Sequence, residues 1–149
     1  LAALTVAPRT VSPFDPADVH ALLAGALSGG ARVVAAVAGS SIVGLAVAAP
    51  SATEPATESL LAVGVAPAYR GDGLGAVLLR ELVGGRPRRT AIEARVGVAE
   101  RDVVEPLPVD ERLAIARRLL EGAGFVVRAT PPDIARDDPR TIVARLPGG

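Results

Sequence analysis

The 149-residue sequence contains no cysteine, which excludes disulfides, thiol nucleophiles and thiolate metal sites. Its single histidine, His20, cannot form a histidine-based metal site alone, so no metal is expected. Aromatic residues are limited to Phe14, Tyr69 and Phe125, and a base-stacking surface for nucleic acid cannot be built from so few. The 16 basic residues, all arginine, balance 16 acidic residues, so no electrostatic attraction to nucleic acid or to an anionic membrane is expected.

Apolar residues, in contrast, are abundant. They make up 50% of the chain, which excludes disorder of the whole sequence. A chain of this length is expected to form one domain over residues 1–149. The uncharged stretch Val33–Pro50 has the length of a membrane span, but Gly39 and two serines interrupt it, and two strands joined by a tight turn explain it better. We therefore expect no membrane partner and, because no charged-then-apolar leader opens the sequence, a cytoplasmic location.

Periodicity and turn signals predict the order β-α-β-β-β-α-β-α-β-β. Strands are predicted at 4–7, 32–38, 42–48, 59–65, 90–96, 125–129 and 141–146, and helices at 15–27, 73–83 and 110–121. The strand–helix–strand unit at 59–96 is expected to be parallel with a right-handed crossover, and the two hairpins antiparallel. The predicted fold class is therefore mixed α/β (α+β), with a mostly antiparallel central sheet, one parallel β-α-β unit and flanking helices.

The most informative segment is residues 60–82, with the sequence LLAVGVAPAYRGDGLGAVLLREL. A strand ends there and a glycine-rich loop leads into a helix, whose first turn offers unpaired N–H groups and the positive end of the helix dipole. Gly71, Gly73 and Gly75 remove the side chains that would keep a phosphate away from those amides. The segment is therefore predicted to bind a pyrophosphate without a lysine.

This segment resembles the acyl-CoA signature of the GNAT (N-acetyltransferase) superfamily, in which a strand is followed by Arg/Gln-x-x-Gly-x-Gly/Ala at a helix start. The matching residues are Arg70, Gly73 and Gly75, with the lead-in residues Val65, Pro67 and Tyr69. The element order matches over nearly the whole chain. In addition, ARRLLEGAGF at 116–125 resembles the family's late helix and the Gly-Phe that begins its sixth strand.

The resemblance implies that acetyl-CoA is the acyl donor. In the family, the fourth and fifth strands, here 59–65 and 90–96, splay apart, and the pantetheine arm lies in the gap along the backbone of the fourth strand. An amide near Val65 would polarise the thioester carbonyl, and the loop amides would hold the pyrophosphate. The implied cofactor-binding residues are Val63, Gly64, Val65, Arg70, Gly71, Asp72, Gly73, Leu74, Gly75 and Ala76.

The resemblance also implies direct attack by an amine on the thioester, without an acyl-enzyme. Two carboxylates are candidates for the general base: Glu58, near the position where some family members carry a glutamate, and Glu93, on the polar face of the fifth strand. For each, the alternative is an exposed or arginine-paired carboxylate. Leu120 replaces the tyrosine with which many family members protonate the leaving thiolate. A second hypothesis therefore stays open, a GNAT-fold module that binds acyl-CoA with little turnover as a sensor or interaction domain.

A third hypothesis is a nicotinamide dinucleotide-binding protein. Gly71-x-Gly73-x-x-Ala76 also satisfies G-x-G-x-x-G/A, and Glu93 lies roughly where a ribose-binding acid belongs, about 20 residues further on. Residues 66–70 separate the glycines from their strand, however, and only one β-α-β unit is predicted, so this hypothesis is disfavoured.

The acceptor stays undefined as a primary amine of a small molecule or a peptide. Residues 10–29 leave room for one helix where the family usually has two, and those helices help to shape the acceptor pocket. The pocket is therefore expected to be open, or to be completed by a second copy of the chain in a homodimer.

Overall fold

A computed structural model describes residues 4–5, 24–25, 28–96, 109–129 and 141–148. The strands are β1 (Leu4–Thr5), β2 (Arg32–Ala38), β3 (Ser41–Pro50), β4 (Thr57–Val65), β5 (Ala91–Val96), β6 (Val126–Arg128) and β7 (Ile142–Leu146). The helices with given bounds are a short 3-10 helix (Pro67–Tyr69), α1 (Leu74–Gly84) and α2 (Val109–Gly122). Each of these strands and α-helices overlaps its predicted range. Positions 24, 25 and 28 are also helical, whereas most of the helix predicted at 15–27 lies outside the described residues.

The strands form one mixed sheet in the order β2-β3-β4-β5-β7-β6, and β1 is added to β4. Strands β4 and β5, which α1 connects, are parallel, and all other neighbouring pairs are antiparallel. This confirms the predicted class, a mostly antiparallel mixed sheet with one parallel β-α-β unit. Within the described part of the chain, no helix is long and apolar enough to cross a membrane.

Both helices pack on one face of the sheet. Their residues in the main buried cluster are Leu78, Leu79, Leu82, Ala116, Leu119 and Leu120. Strand β3 contributes Ala46 and Ala48 to this cluster, while the alternating Leu45 and Val47 belong to a second cluster with Ala62. Because successive side chains of a strand point to opposite faces, the second cluster lies on the face away from the helices.

Gly44 lets α1 approach β3 closely. A Cβ at this position would lie 2.8 Å from Leu78 Cδ1 and 3.3 Å from the Gly64 carbonyl oxygen. Both distances are too short for an ordinary contact, so a side chain here would push the helix away from the sheet. The position of α1, and with it the position of the glycine-rich loop at its start, therefore depends on this glycine.

Strand β4 contains a β-bulge at Leu61. Across the β3–β4 pairing, Val47 lies opposite Ala62 and Ala48 lies opposite Leu60, so Leu61 is an extra residue on β4. A bulge of this kind bends its strand and increases the local twist. The direction of β4 therefore changes in the middle of the strand.

The pairing of β4 with β5 ends just before the bulge. Parallel pairs join Thr57–Ser59 to Ala91–Glu93, and within the described residues none joins 60–65 to 94–96. The bend at Leu61 gives a physical reason for this, since it changes the course of β4 immediately after the last pair.

Strand β1 lies along the second half of β4. It pairs antiparallel, with Leu4 opposite Val63 and Thr5 opposite Ala62. Since β3 occupies one edge of β4 along its length, β1 lies on the other edge, the one on which β5 pairs nearer the start of β4. The first strand was predicted at 4–7 without a partner, and only two of those residues lie within the described strand.

Candidate functional site

The glycine-rich loop, residues 70–76, runs from the 3-10 helix into the first turn of α1. Gly71 has a φ of 95° and Gly73 a φ of 77°, the left-handed region that favours glycine. Gly73 is the N-cap of α1, and no side chain caps the helix there. A backbone bond joins the Val77 amide to the Gly73 carbonyl at 3.2 Å, so the amides of 74–76 precede the helical hydrogen-bond ladder.

The outer surface of this loop is open. A Cβ at Gly71 or at Gly73 would meet no heavy atom within 4 Å, and both residues are exposed together with Asp72. The first turn of α1 holds no acidic residue that would neutralise the positive end of its dipole. The chain therefore presents backbone donors on a surface without bulk, an arrangement that fits a phosphate or pyrophosphate.

Arg70 ties the loop to the end of β4. Its Nε donates a hydrogen bond of 2.8 Å to the Val65 carbonyl. The preceding turn is held in the same way, since the Ala66 amide donates to the Val43 carbonyl at 2.8 Å and the Tyr69 amide to the Ala66 carbonyl at 2.9 Å. The arginine of the signature thus positions the loop against the strand from which it departs.

The other predicted cofactor contacts lie along β4. Val63, Gly64 and Val65 are buried, and each pairs with β3 on one edge of the strand. On the other edge, Leu4 lies opposite Val63, whereas no strand pair within the described residues joins Gly64 or Val65. The edge expected to receive the pantetheine arm is therefore taken by β1 at Val63 and has no described strand partner at Gly64 and Val65.

Glu58 forms a buried ion pair on the helix side of the sheet. Its carboxylate accepts from Arg32 Nε at 2.9 Å and from Arg32 Nη2 at 2.7 Å, and its side chain is 7% exposed. Arg32 Nη1 also donates to the Leu82 carbonyl near the end of α1, at 2.8 Å. This arrangement is the arginine-paired alternative considered for the residue, and it joins β2, β4 and α1. The catalytic role of Glu58 stays a prediction.

Glu93 lies on the other side of the sheet. Its neighbours Ile92 and Ala94 face the helices, so Glu93 points away from them, with a side chain 36% exposed. Glu93 Oε1 accepts from Arg145 Nη1 at 2.6 Å, and the same nitrogen donates to Glu54 Oε2 at 3.0 Å. The hydrogen bond and the charge of Arg145 lower the pKa of Glu54, and the hydrogen bonds to Glu54 and Glu93 raise the pKa of Arg145.

Three residues near Glu93, on the face of the sheet away from the helices, were not predicted from the sequence as part of the site. Arg145 and Glu54 are far from Glu93 along the chain, and Ser59 is its partner in the parallel register. The only signal for Arg145 was its alternation with Ala144 in a predicted strand, and this does not identify its partners. The strand register was needed to bring the residues together.

Position 120 on α2 carries a leucine, which cannot donate a proton. Leu120 is fully buried in the main cluster, so the position of the family's tyrosine is part of the core. The described part of the chain contains no group of His, Cys, Asp or Glu side chains that could hold a metal ion. If a thiolate leaves during the reaction, the group that protonates it must lie at a position other than 120.

Several solved structures have a similar fold. An acetoin utilization protein from Exiguobacterium sibiricum has a TM-score of 0.75 at 22% identity, covering 95% of this chain and 70% of that one. A protein of the GNAT family from Desulfovibrio desulfuricans has a TM-score of 0.62 at 25% identity, covering 93% and 84% of the two chains. The protein yncA from Salmonella typhimurium, solved with acetyl-CoA, has a TM-score of 0.65 at 20% identity, covering 98% and 79%.

None of the curated proteins compared with the sequence matches it. The family model described as "Acetyltransferase (GNAT) family" matches residues 5–101, which is more than half of the chain. The match includes the bulged strand β4, the glycine-rich loop and α1. The resemblance inferred from the sequence is thereby confirmed: the chain belongs to the GNAT acetyltransferase family.

Proposed function

We propose that this protein transfers an acetyl group from acetyl-CoA to a primary amine of a small molecule or peptide by direct attack. The observation that carries the proposal is the start of α1 beyond the end of β4, which is lined by glycines and has no side-chain cap, together with the end of the described β4–β5 pairing at Ser59. The acetyl-CoA bound to the similar Salmonella protein supports the choice of donor.

The residues that would hold the donor are mostly backbone groups. The amides of Gly71 to Ala76 would bind the pyrophosphate, and Arg70 would keep that loop at the end of β4 through its bond to Val65. The edge of β4 at Gly64 and Val65, which pairs with no described strand, would accept the pantetheine arm in the manner of an added strand. Acetyl-CoA supplies the activated acyl group as a thioester.

For the acceptor, we propose Glu93 rather than Glu58 as the carboxylate that receives the amine proton. Glu58 is enclosed by Arg32 on the helix side, whereas Glu93 is partly exposed on the opposite side, at the last β4–β5 pair and beside Ser59. A carboxylate has more acceptor sites than the bond from Arg145 uses. A proton from the acceptor can therefore pass to Glu93, directly or through one water molecule.

The test of the loop uses two glycines with the same backbone strain. Gly73 and Gly30 both have a φ of 77°, and at neither would a Cβ meet an atom within 4 Å. We expect Gly73→Ala and Gly30→Ala each to lower the free energy of unfolding by about 1–2 kcal/mol, because both force alanine into the left-handed region. Only Gly73→Ala is expected to weaken CoA binding in calorimetry, by at least about tenfold, since its methyl group occupies the phosphate surface. Equal CoA affinity in both variants would exclude the loop as the binding site.

The second candidate function is an acyl-CoA-binding module with little turnover. The buried Leu120 favours it, because α2 offers no proton donor at that position. A thiol-release assay with acetyl-CoA and a panel of primary amines separates the two candidates. Release that depends on an amine and is lost in Glu93→Gln supports transfer with Glu93 as base, whereas tight CoA binding without release by any amine supports the module.

The dinucleotide hypothesis makes a different prediction. The 3-10 helix Pro67–Tyr69 separates the glycines from β4, so the loop does not follow its strand directly as a dinucleotide-binding turn does. We expect CoA to raise the melting temperature and NAD to leave it unchanged. Stabilisation by NAD alone would reverse this assignment.

A further inference from the structure

The edge of β4 opposite β3 is shared by β5 and β1. β5 pairs with it at Thr57–Ser59, and β1 pairs with it at Ala62 and Val63. The opposite edge of β4 is filled by β3 from Glu58 to Val65. Strand β1 therefore lies on the only remaining edge of this half of β4, just past the bulge at Leu61.

The same edge is the one that the proposed function assigns to the pantetheine arm. Each strand residue has one backbone N–H and one backbone C=O for pairing. The groups of Val63 therefore cannot form strand hydrogen bonds with β1 and with the pantetheine arm at the same time. The arm would run from the loop at 70–76 along Val65 and Gly64 towards the bulge. At Val63 it meets the described part of β1.

We propose that β1 is an autoinhibitory strand, which occupies the inner half of the pantetheine groove and must leave before acetyl-CoA is fully seated. This inference rests on the proposed function and adds a regulatory step to it. Loop 70–76 stays open while β1 is in place, because a Cβ at Gly71 or Gly73 would meet nothing within 4 Å. The phosphate end of the donor can therefore bind first, and the pantetheine then competes with β1.

The length of β1 makes the competition weak enough to reverse. Within the described part of the chain, Leu4 and Thr5 are the residues of β1 that pair with β4, and a pairing of this extent is held by few backbone hydrogen bonds. Such a ladder biases the population towards the closed form by about tenfold, and the apparent CoA affinity falls by the same factor. A longer strand would close the groove permanently.

The test replaces the paired residues with proline, which cannot donate to the ladder. Leu4→Pro/Thr5→Pro is compared with Leu4→Ala/Thr5→Ala, which keeps both amides, and with the native chain, by calorimetric titration with CoA. We expect the proline variant to bind CoA about tenfold more tightly than the alanine variant. Equal affinity in all three proteins, or weaker binding by the proline variant, overturns the inference and leaves the proposed function intact. No CoA binding by any of them overturns both.

A second measurement needs no substitution. In the native chain, amide hydrogen exchange of the peptide containing Leu4 and Thr5 is followed with and without CoA. Displacement predicts faster exchange in this peptide when CoA is bound, while 63–65 stays protected because the arm replaces β1. Slower or unchanged exchange at Leu4 and Thr5 in the CoA complex contradicts the inference, even if the proline variant fails to fold.

Discussion

The Arg32–Glu58 pair offers a sharp test of what the buried carboxylate does. Glu58→Ala leaves the Arg32 guanidinium with the Leu82 carbonyl but without the two bonds of 2.9 and 2.7 Å to the carboxylate. Removing one partner of a fully buried pair costs about 3–5 kcal/mol, and the Arg32 side chain is 24% exposed, which reduces the penalty. We expect a loss of about 2–3 kcal/mol and a melting temperature lower by about 5–10 °C.

The chain offers a matched control on the surface. Arg117 and Glu121 form an exposed pair on α2 at 2.9 Å, with side chains 58% and 47% exposed, so Glu121→Ala should cost only about 0.3–0.5 kcal/mol. Urea unfolding of both variants, and of Arg32→Ala with its double variant, measures the coupling between Arg32 and Glu58. A loss for Glu58→Ala no larger than that for Glu121→Ala, or a coupling under about 0.5 kcal/mol, refutes the structural role. Loss of turnover in Glu58→Gln with native stability would instead restore Glu58 as a catalytic candidate.

Three further predictions concern pH, packing and charge. Arg145 lowers the pKa of Glu54 below its usual 4.5, so the folded state gains stability above that pH and loses this stability as the pH falls through the lower, folded value. In urea unfolding below pH 4.5, Glu54→Gln should therefore lose less stability with falling pH than the native chain. Parallel curves of stability against pH for the two proteins would contradict this. Gly44→Ala should lower the free energy of unfolding by about 1–3 kcal/mol because its Cβ would lie 2.8 Å from Leu78 Cδ1. In thermal melts, the double variant Gly44→Ala/Leu78→Ala should lose less stability than the sum of the losses in the two single variants. Asp72→Asn should tighten CoA binding in low salt and less so in high salt, since it removes an exposed negative charge from the proposed anion site; an affinity unaffected at low salt would place that charge away from the phosphates.

The elements that sequence predicted well are those whose signal is local. Helix α1 was predicted from the glycines at its start and from the spacing of Leu74, Leu78 and Leu82. Both signals lie within one short segment of the sequence. The strand–turn–strand of 32–50 followed from the apolar runs and the turn at Gly39, whose φ is 62°. The family signature also consists of neighbouring residues, so it was visible without any knowledge of the sheet.

The features that escaped depend on pairing between distant segments. The apolar run of β4 gives no sign that Leu61 is a bulge, because the bulge is defined by the register with β3. The position of β1 on β4 was equally invisible, since two apolar or β-branched residues fit many strand edges. For the same reason, Glu58 and Glu93 looked alike as carboxylates in strands until Arg32 and Arg145 were placed beside them.

An amide NMR titration of the chain with CoA and, separately, with NAD tests directly whether the start of α1 binds the pyrophosphate. If the start of α1 is the pyrophosphate site, the amide resonances of 71–76 show the largest shifts on adding CoA, and NAD leaves them in place. Shifts concentrated elsewhere in the described residues, with the resonances of 71–76 unmoved by CoA, would exclude the start of α1 as the pyrophosphate site.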